Sequence, residues 1–223
     1  MIPKLSNITP VQSLYLSFIE RLNADGFAGE TNPDYANRVV LSTDNSIYQV
    51  LPQGVIYPKS VADIQLLTRL AHLEEFQSIV LSPRGGGTGT NGPSLTDGLI
   101  VDLSKHMNQV LEINAEEGWA RVQTGVVKDQ LNAAVKEHGL FFAPELSTSN
   151  RATIGGMINT DASGQGSVMY GKTRDHVLSL DTVLLDGTLI SSGPISDEKL
   201  AEEKQREDYA GHIHRVVDDA FNH

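Results

Sequence analysis

The sequence has 223 residues, enough for one sizeable domain or two small ones with a buried core. Its 39% apolar and 20% charged residues are ordinary for a soluble globular protein, and 17 basic against 28 acidic residues give a net charge of −11, which argues against nonspecific nucleic-acid binding. With no cysteine, a disulfide scaffold, a cysteine zinc site and an iron–sulfur cluster held within these residues are excluded.

The opening stretch MIPKLSNITPVQSLYLSF has one Lys and no continuous apolar run, so it does not read as a signal peptide. No window approaches the roughly 20 apolar residues of a membrane span, and the expected location is cytoplasmic, free or peripheral to the inner membrane. From Pro10 to Asn23, Leu14, Phe18 and Leu22 recur four apart and predict an amphipathic helix. Residues 24–50 are polar and read as loop. Val55-Ile56-Tyr57 predicts a short strand. Ser60 and Asp63 then form a capping-box-like start for a helix with Ile64, Leu67, Leu70 and Ala71 on one face up to about Phe76. With a strand from Ser78 to Leu81, this has the size of a βαβ unit.

Further strands are expected at Leu99–Leu103 and Trp119–Gln123, and a helix from Val127 to His138 that Gly139 stops. Val177–Leu185 reads as a strand turning at Asp186-Gly187 into Leu189-Ile190. After Pro194 the run SDEKLAEEKQRED is charged, helix-prone and almost without apolar residues, as in a solvated helix or linker. The expected layout is an N-terminal helical extension over 1–34, a mixed domain over 35–192 and a charged helical segment over 193–223.

Arg84-Gly85-Gly86-Gly87-Thr88-Gly89-Thr90-Asn91-Gly92 is the most informative stretch. Glycine carries an entropic cost of roughly 0.5–1 kcal/mol relative to Ala in regular structure, so such a run suits backbone that takes positive φ or approaches a ligand closely. Its N–H groups can converge on phosphate oxygens as a nest, with Arg84 adding charge, Thr88 and Thr90 hydroxyls, and Asn91 an amide. The alternative is a flexible linker, which sits badly between two strands and beside an arginine. Gly87-x-Gly89-x-x-Gly92 matches a dinucleotide fingerprint, but that fingerprint must open a helix, and Pro93–Gly98 leads into a strand instead. Gly166–Thr173 matches the P-loop pattern, yet a polar stretch precedes it and no room remains for the long helix that a P-loop needs.

Pro144 to Gly164 is rich in small hydroxylated residues. Thr153 can cap a short helix that buries Ile154, Met157 and Ile158, with Gly155 and Gly156 clearing space for a flat ring or a phosphate. A tightly packed helix–strand crossing explains the same spacing. His72 and His138 lie at helix ends and read as surface residues, while His176 reads as structural. His212-x-His214 lacks metal-ligand spacing, so no metal site is expected, and no G-x-S-x-G nucleophile elbow is present.

Four landmarks together resemble a known family. Thr43–Tyr48 is similar to its opening motif, Pro83–Gly89 to its pyrophosphate loop, Thr153–Gly156 through Asn159 to Gly164 to its second flavin-binding segment, and Tyr170–Leu178 with Asp186-Gly187 to its closing motif. The sequence over about 38–190 resembles the FAD-binding domain of the vanillyl-alcohol-oxidase and para-cresol-methylhydroxylase (PCMH) superfamily, most of all bacterial FAD-linked oxidases related to D-lactate and D-2-hydroxyglutarate dehydrogenases. The resemblance implies an α+β fold of two small α/β lobes, about 50–105 and 110–192, that clasp FAD. It implies pyrophosphate contacts from Arg84 through Gly92, and adenine or flavin contacts from Pro144, Ser147, Thr148, Thr153, Gly155, Gly156, Asn159, Ala162, Gly164 and Val177. Thr88 stands where some relatives have a tethering His, so the FAD is expected to be non-covalent.

The resemblance further implies a small-molecule 2-hydroxy acid substrate whose base and metal ligands lie in a cap domain beyond these residues. An iron–sulfur module is likewise implied only for a C-terminal part absent here. The expectation is an N-terminal fragment that binds FAD without turning over substrate; a P-loop nucleotide hydrolase and a module that has lost its cofactor are the alternatives.

Overall fold

The computed structural model describes residues 9–222. The first eight residues of the expected extension, and most of the signal-peptide reading's basic end, lie outside the described residues, as does His223.

A four-stranded sheet forms the first lobe in the order β1-β2-β4-β3, with β1 at Glu30–Asn32, β2 at Gly54–Tyr57, β3 at Leu81–Arg84 and β4 at Leu99–Asp102. Strands β2, β4 and β3 are parallel and β1 is antiparallel to β2. All residues of β2 and β4 are buried, as expected for central parallel strands covered on both faces. Side-chain alternation divides them: Ile56, Leu99 and Val101 enter the larger core, while Val55, Tyr57 and Ile100 form a smaller cluster on the other face with Leu41.

Helix α1, Ser13–Ala24, packs Tyr15, Phe18, Ile19 and Leu22 into the larger core, where Phe18 meets Phe76 edge to face at 5.1 Å. The N-terminal helix thus packs as a layer of the first lobe, beside β1. Residues 24–50 also depart from the expected loop: they supply β1 and a short helix α2 at Tyr35–Val40. The reason is tertiary, since Glu30 pairs with Tyr57 and polar β1 is an edge strand held by an apolar neighbour.

Helix α3, Val61–Ala71, carries the expected capping box, with Ser60 and Asp63 exchanging hydrogen bonds. Buried Asp63 also accepts from the backbone N–H of Ala28 at 2.9 Å and Lys59 at 2.8 Å, so the cap fastens the α1–β1 connection to α3. A strand expected at 78–81 lies instead at Leu81–Arg84, where Leu81 aligns with Leu99 of β4.

The second lobe begins with the hairpin β5, Val110–Asn114, and β6, Trp119–Val122. Helix α4, Lys128–Val135, follows and runs through a 3-10 turn to Gly139, whose φ of 71° is the expected left-handed stop. Short helix α5, Ile154–Asn159, packs Ile154 and Met157 with Val126, Leu131, Val135 and Ala152. After the single turn α6, Ser167–Tyr170, comes a second hairpin of β7, Leu180–Val183, and β8, Leu189–Ser192, with Gly187 at φ 83° in its turn as expected. That hairpin rests on the first lobe, where Gln65 Nε2 donates to Gly187 O at 2.8 Å. Arg121 on β6 also pairs with Asp181 on β7 at 3.2 Å. The charged segment forms α7, Asp197–Lys204, which buries no residue, and α8, Tyr209–Asn222, linked to α7 by Lys204–Asp218.

Candidate functional site

The glycine loop leaves the sheet at the C-terminal end of β3, beside the end of β4, the edge where ligands sit in open parallel sheets. Arg84 closes the strand and its side chain is 7% exposed. Its Nη2 donates to Thr43 O at 2.8 Å, and its Nη1 donates to Leu41 O at 3.3 Å and Ser94 Oγ at 3.4 Å. Burial pushes this guanidinium below its ordinary pKa, while the carboxylates of Asp102 and Asp44 push the other way. Ser94 Oγ in turn donates to Asp44 Oδ2 at 3.1 Å. Burial raises the Asp44 carboxyl, but hydrogen bonds from Ser46 and Ser94 and the Arg84 charge outweigh it and hold the group below the usual range. The opening motif around Thr43–Tyr48 is thereby tied beneath the glycine loop, and Asn45 N–H donates to Gly87 O at 3.0 Å.

Among the described residues, no backbone N–H from Gly85 to Gly92 donates a hydrogen bond, nor do the side chains of Thr88, Thr90 and Asn91. Gly85–Gly89 and Gly92 are half-buried while Thr90 and Asn91 are exposed, and successive unspent donors of this kind can hold an anion. The glycines are there because nothing larger fits. A Cβ on Gly85 would stand 2.1 Å from Thr153 Oγ1, and one on Gly86 would stand 2.0 Å from Arg151 O. Gly87 and Gly92 adopt positive φ, 63° and 73°. The loop of the first lobe and the 151–153 segment of the second therefore meet in backbone-level contact.

Thr153 caps α5 as expected, its hydroxyl accepting from Gly156 N–H at 3.3 Å. The helix start does not offer free donors to an anion, however. Ile154 N–H is taken by Val126 O at 2.8 Å and Gly155 N–H by Thr124 O at 2.9 Å. Gly155 also packs onto Thr124, whose Oγ1 would lie 1.7 Å from a Cβ, whereas Gly156 is exposed and nearly open. Of the two glycines, only Gly156 leaves space beside the helix.

Between the lobes lies a cleft of about 360 Å³. Of the residues singled out in the sequence, Arg84, Gly85, Gly86 and Thr153 line it; the rest of the glycine loop continues outside its lining. Ser104, Asn108, Gln130, Asn150 and Arg151 join them, none of which the sequence motifs distinguish as site residues. The signal for Arg151 was adjacency: a basic residue two positions before a cap that abuts the glycine loop. Its Nη2 donates to Gly86 O at 3.2 Å, and among the described residues no carboxylate pairs with it.

The other expected contacts form a second group. Pro144 is buried and Ser147 exposed, while Thr148 O accepts from the N–H groups of Arg151 and Ala152. Gly164 lies against Glu145 O, which a Cβ would approach to 2.1 Å. Buried Thr173 donates its hydroxyl to Ala162 O at 2.7 Å, joining the closing motif to the second segment. Phe141 meets Tyr170 edge to face at 5.6 Å, and Phe142 meets His176 at 5.8 Å. Asn159 is exposed at the end of α5, and Val177 is half-buried after the closing motif. The P-loop alternative finds no support: Gly166–Thr173 holds only the four residues of α6, and no strand runs into it. Among the described residues no three His, Asp or Glu side chains gather as metal ligands, and no helix is long and apolar enough to cross a membrane.

A family profile described as an FAD binding domain matches residues 52–193. The D-2-hydroxyglutarate dehydrogenase of Pseudomonas putida is 58% identical over 217 residues, which are 97% of this chain and 22% of that protein. The Bacillus subtilis glycolate oxidase subunit is 39% identical over 170 residues, 74% of this chain and 36% of that one. The chain thus spans about a fifth of the length of the D-2-hydroxyglutarate dehydrogenases it matches. Among solved structures, an alkyldihydroxyacetonephosphate synthase superposes with a TM-score of 0.72 over 88% of this chain and 38% of that one, at 23% identity. The 6-hydroxy-D-nicotine oxidase of Arthrobacter nicotinovorans gives 0.65 over 75% and 36%, also at 23% identity, and such likeness speaks for the fold alone. Free loop donors, an open interlobe cleft and the profile match agree: this chain belongs to the PCMH-type FAD-binding domain family.

Proposed function

We propose that this chain is the flavin-binding part of a dehydrogenase that oxidises a D-2-hydroxy acid of the D-2-hydroxyglutarate or D-lactate type. The carrying observation is the run of unpaired N–H groups from Gly85 to Gly92 at the mouth of the interlobe cleft, a cradle suited to the pyrophosphate of FAD. Relatives named D-2-hydroxyglutarate dehydrogenase, D-lactate dehydrogenase and glycolate oxidase support the substrate class. When bound, FAD would supply the acceptor for the hydride lost in oxidising the 2-hydroxy acid.

The chain's own residues bind and orient. Gly85–Gly92 would donate to the diphosphate, Asn150 and Gln130 would offer amides at the cleft wall, and Gly156 leaves room beside α5. Thr88 and the lack of cysteine support a non-covalent flavin. The base and the cations that a 2-hydroxy acid needs belong to polypeptide beyond these residues, with a cytoplasmic location for the whole.

The test is reconstitution. Titrating the purified chain with FAD is expected to quench flavin fluorescence to a stoichiometric end point, and acid precipitation to release all flavin into the supernatant. No quenching refutes flavin binding, flavin retained in the pellet refutes the non-covalent mode, and turnover of D-2-hydroxyglutarate by the chain alone refutes its dependence on further polypeptide.

A further inference from the structure

We propose that the two arginines at the glycine loop divide the work: Arg151 is the cation that meets the diphosphate, and Arg84 is a positioning residue that holds the loop from beneath. This rests on the FAD reading above and deepens it.

Arg84 opens the motif, and the sequence alone suggests it as a phosphate contact. Three of its four Nη N–H donors are nevertheless committed, to Leu41 O, Thr43 O and Ser94 Oγ, and it is flanked by Asp44 and Asp102. Gly87 seats directly on it, since a Cβ there would stand 2.6 Å from Arg84 Nη2. A planar guanidinium spanning three acceptors braces the loop, and a lysine cannot reproduce that geometry. Together with the Asn45–Gly87 bond, it fixes the conformation in which the Gly85–Gly92 N–H groups stay free.

Arg151 has the opposite character. It is exposed, lines the cleft, and spends one Nη on Gly86 O at 3.2 Å, a carbonyl of the loop itself. Its other donors stand beside the free loop donors with no carboxylate pair among the described residues. In a protein of net charge −11 a dianionic ligand needs such a local cation. Because Arg151 comes from the second lobe and the N–H groups from the first, an anion gripped by both draws the lobes together.

The experiment titrates the 223-residue chain and its Arg151→Gln, Arg84→Gln and Arg84→Lys variants with FAD and with riboflavin, which lacks phosphate, over a range of salt. Arg151→Gln is expected to weaken FAD by roughly ten- to a hundredfold, to flatten its salt dependence, and to leave riboflavin affinity unchanged. Arg84→Lys keeps the charge but is expected to weaken FAD as Arg84→Gln does, with the salt dependence of the unchanged chain. Unfolding of both Arg84 variants while Arg151→Gln folds also supports a positioning role. The assignment falls if Arg151→Gln binds FAD normally, or if Arg84→Lys restores an affinity that Arg84→Gln loses together with its salt dependence. Failure of the FAD reading itself shows separately, as no binding by the unchanged chain, and takes the assignment with it.

Discussion

Gly86→Ala tests the seam between the lobes with a single methyl group. Gly86 does not need a positive φ, so alanine is compatible with its backbone and only the contact matters. The added Cβ would lie 2.0 Å from Arg151 O and 2.9 Å from the carbonyl carbon, both backbone atoms that cannot rotate away. The lobes must part locally by more than an ångström, which places the substitution in the range of core overpacking, about 2 kcal/mol. For a chain of this size that lowers Tm by roughly 4–8 °C. Separation also stretches the Arg151–Gly86 bond and opens the cradle, so FAD affinity should fall by at least about tenfold, equivalent to 1.4 kcal/mol. The control is Gly156→Ala, where only Thr153 Oγ1 approaches, at 3.2 Å, and where helix propensity favours alanine by up to about 1 kcal/mol. Thermal melts of both variants, with FAD titration of Gly86→Ala, decide the matter. A Gly86→Ala protein with unchanged Tm and unchanged FAD affinity would refute the claim that glycine is there for close approach.

Thr153→Val keeps the shape but removes the cap acceptor for Gly156 N–H, and urea unfolding should show a loss of about 1 kcal/mol that Thr153→Ser does not. Thr173→Val should also cost about 1 kcal/mol, no more, because Ala162 O keeps the Thr173 backbone N–H when the hydroxyl is lost; a loss above about 3 kcal/mol would mean that the hydroxyl has another role. The Asp44 carboxyl, held below its ordinary value of 3.8, contributes stability that is full above that value and is lost as pH falls through the depressed one. Comparing melts at about pH 5 and pH 3, the unchanged chain should lose more stability than Asp44→Asn; equal losses would remove Asp44 from the acid response.

Features set by a few neighbouring residues could be read directly from the sequence. The Ser60–Asp63 box, the Thr153 cap, the left-handed Gly139 and the Asp186-Gly187 turn each follow from local backbone chemistry, and each is present. The motif order likewise identified the cofactor-binding family, because glycine-rich loops and capped turns are themselves local. Other features depended on distant partners. Polar Glu30–Asn32 becomes a strand only because β2 pairs with it, and β3 takes its register from β4. Strand β5 had no counterpart among the predicted elements because its pattern is weak without β6.

The site divides in the same way. The amino-acid sequence determined that Gly85–Gly92 would present bare backbone, since that property resides in residue type. Tertiary structure decided what each donor and cation is free to do: Leu41 and Thr43, more than 40 positions from Arg84, engage the arginine that the motif advertises. Thr124 and Val126 engage the N–H groups at the start of α5, and the meeting of the lobes brings Arg151 to the loop. A side chain's chemistry is written in the sequence, but whether its donors remain unspent depends on which acceptors the fold brings beside them.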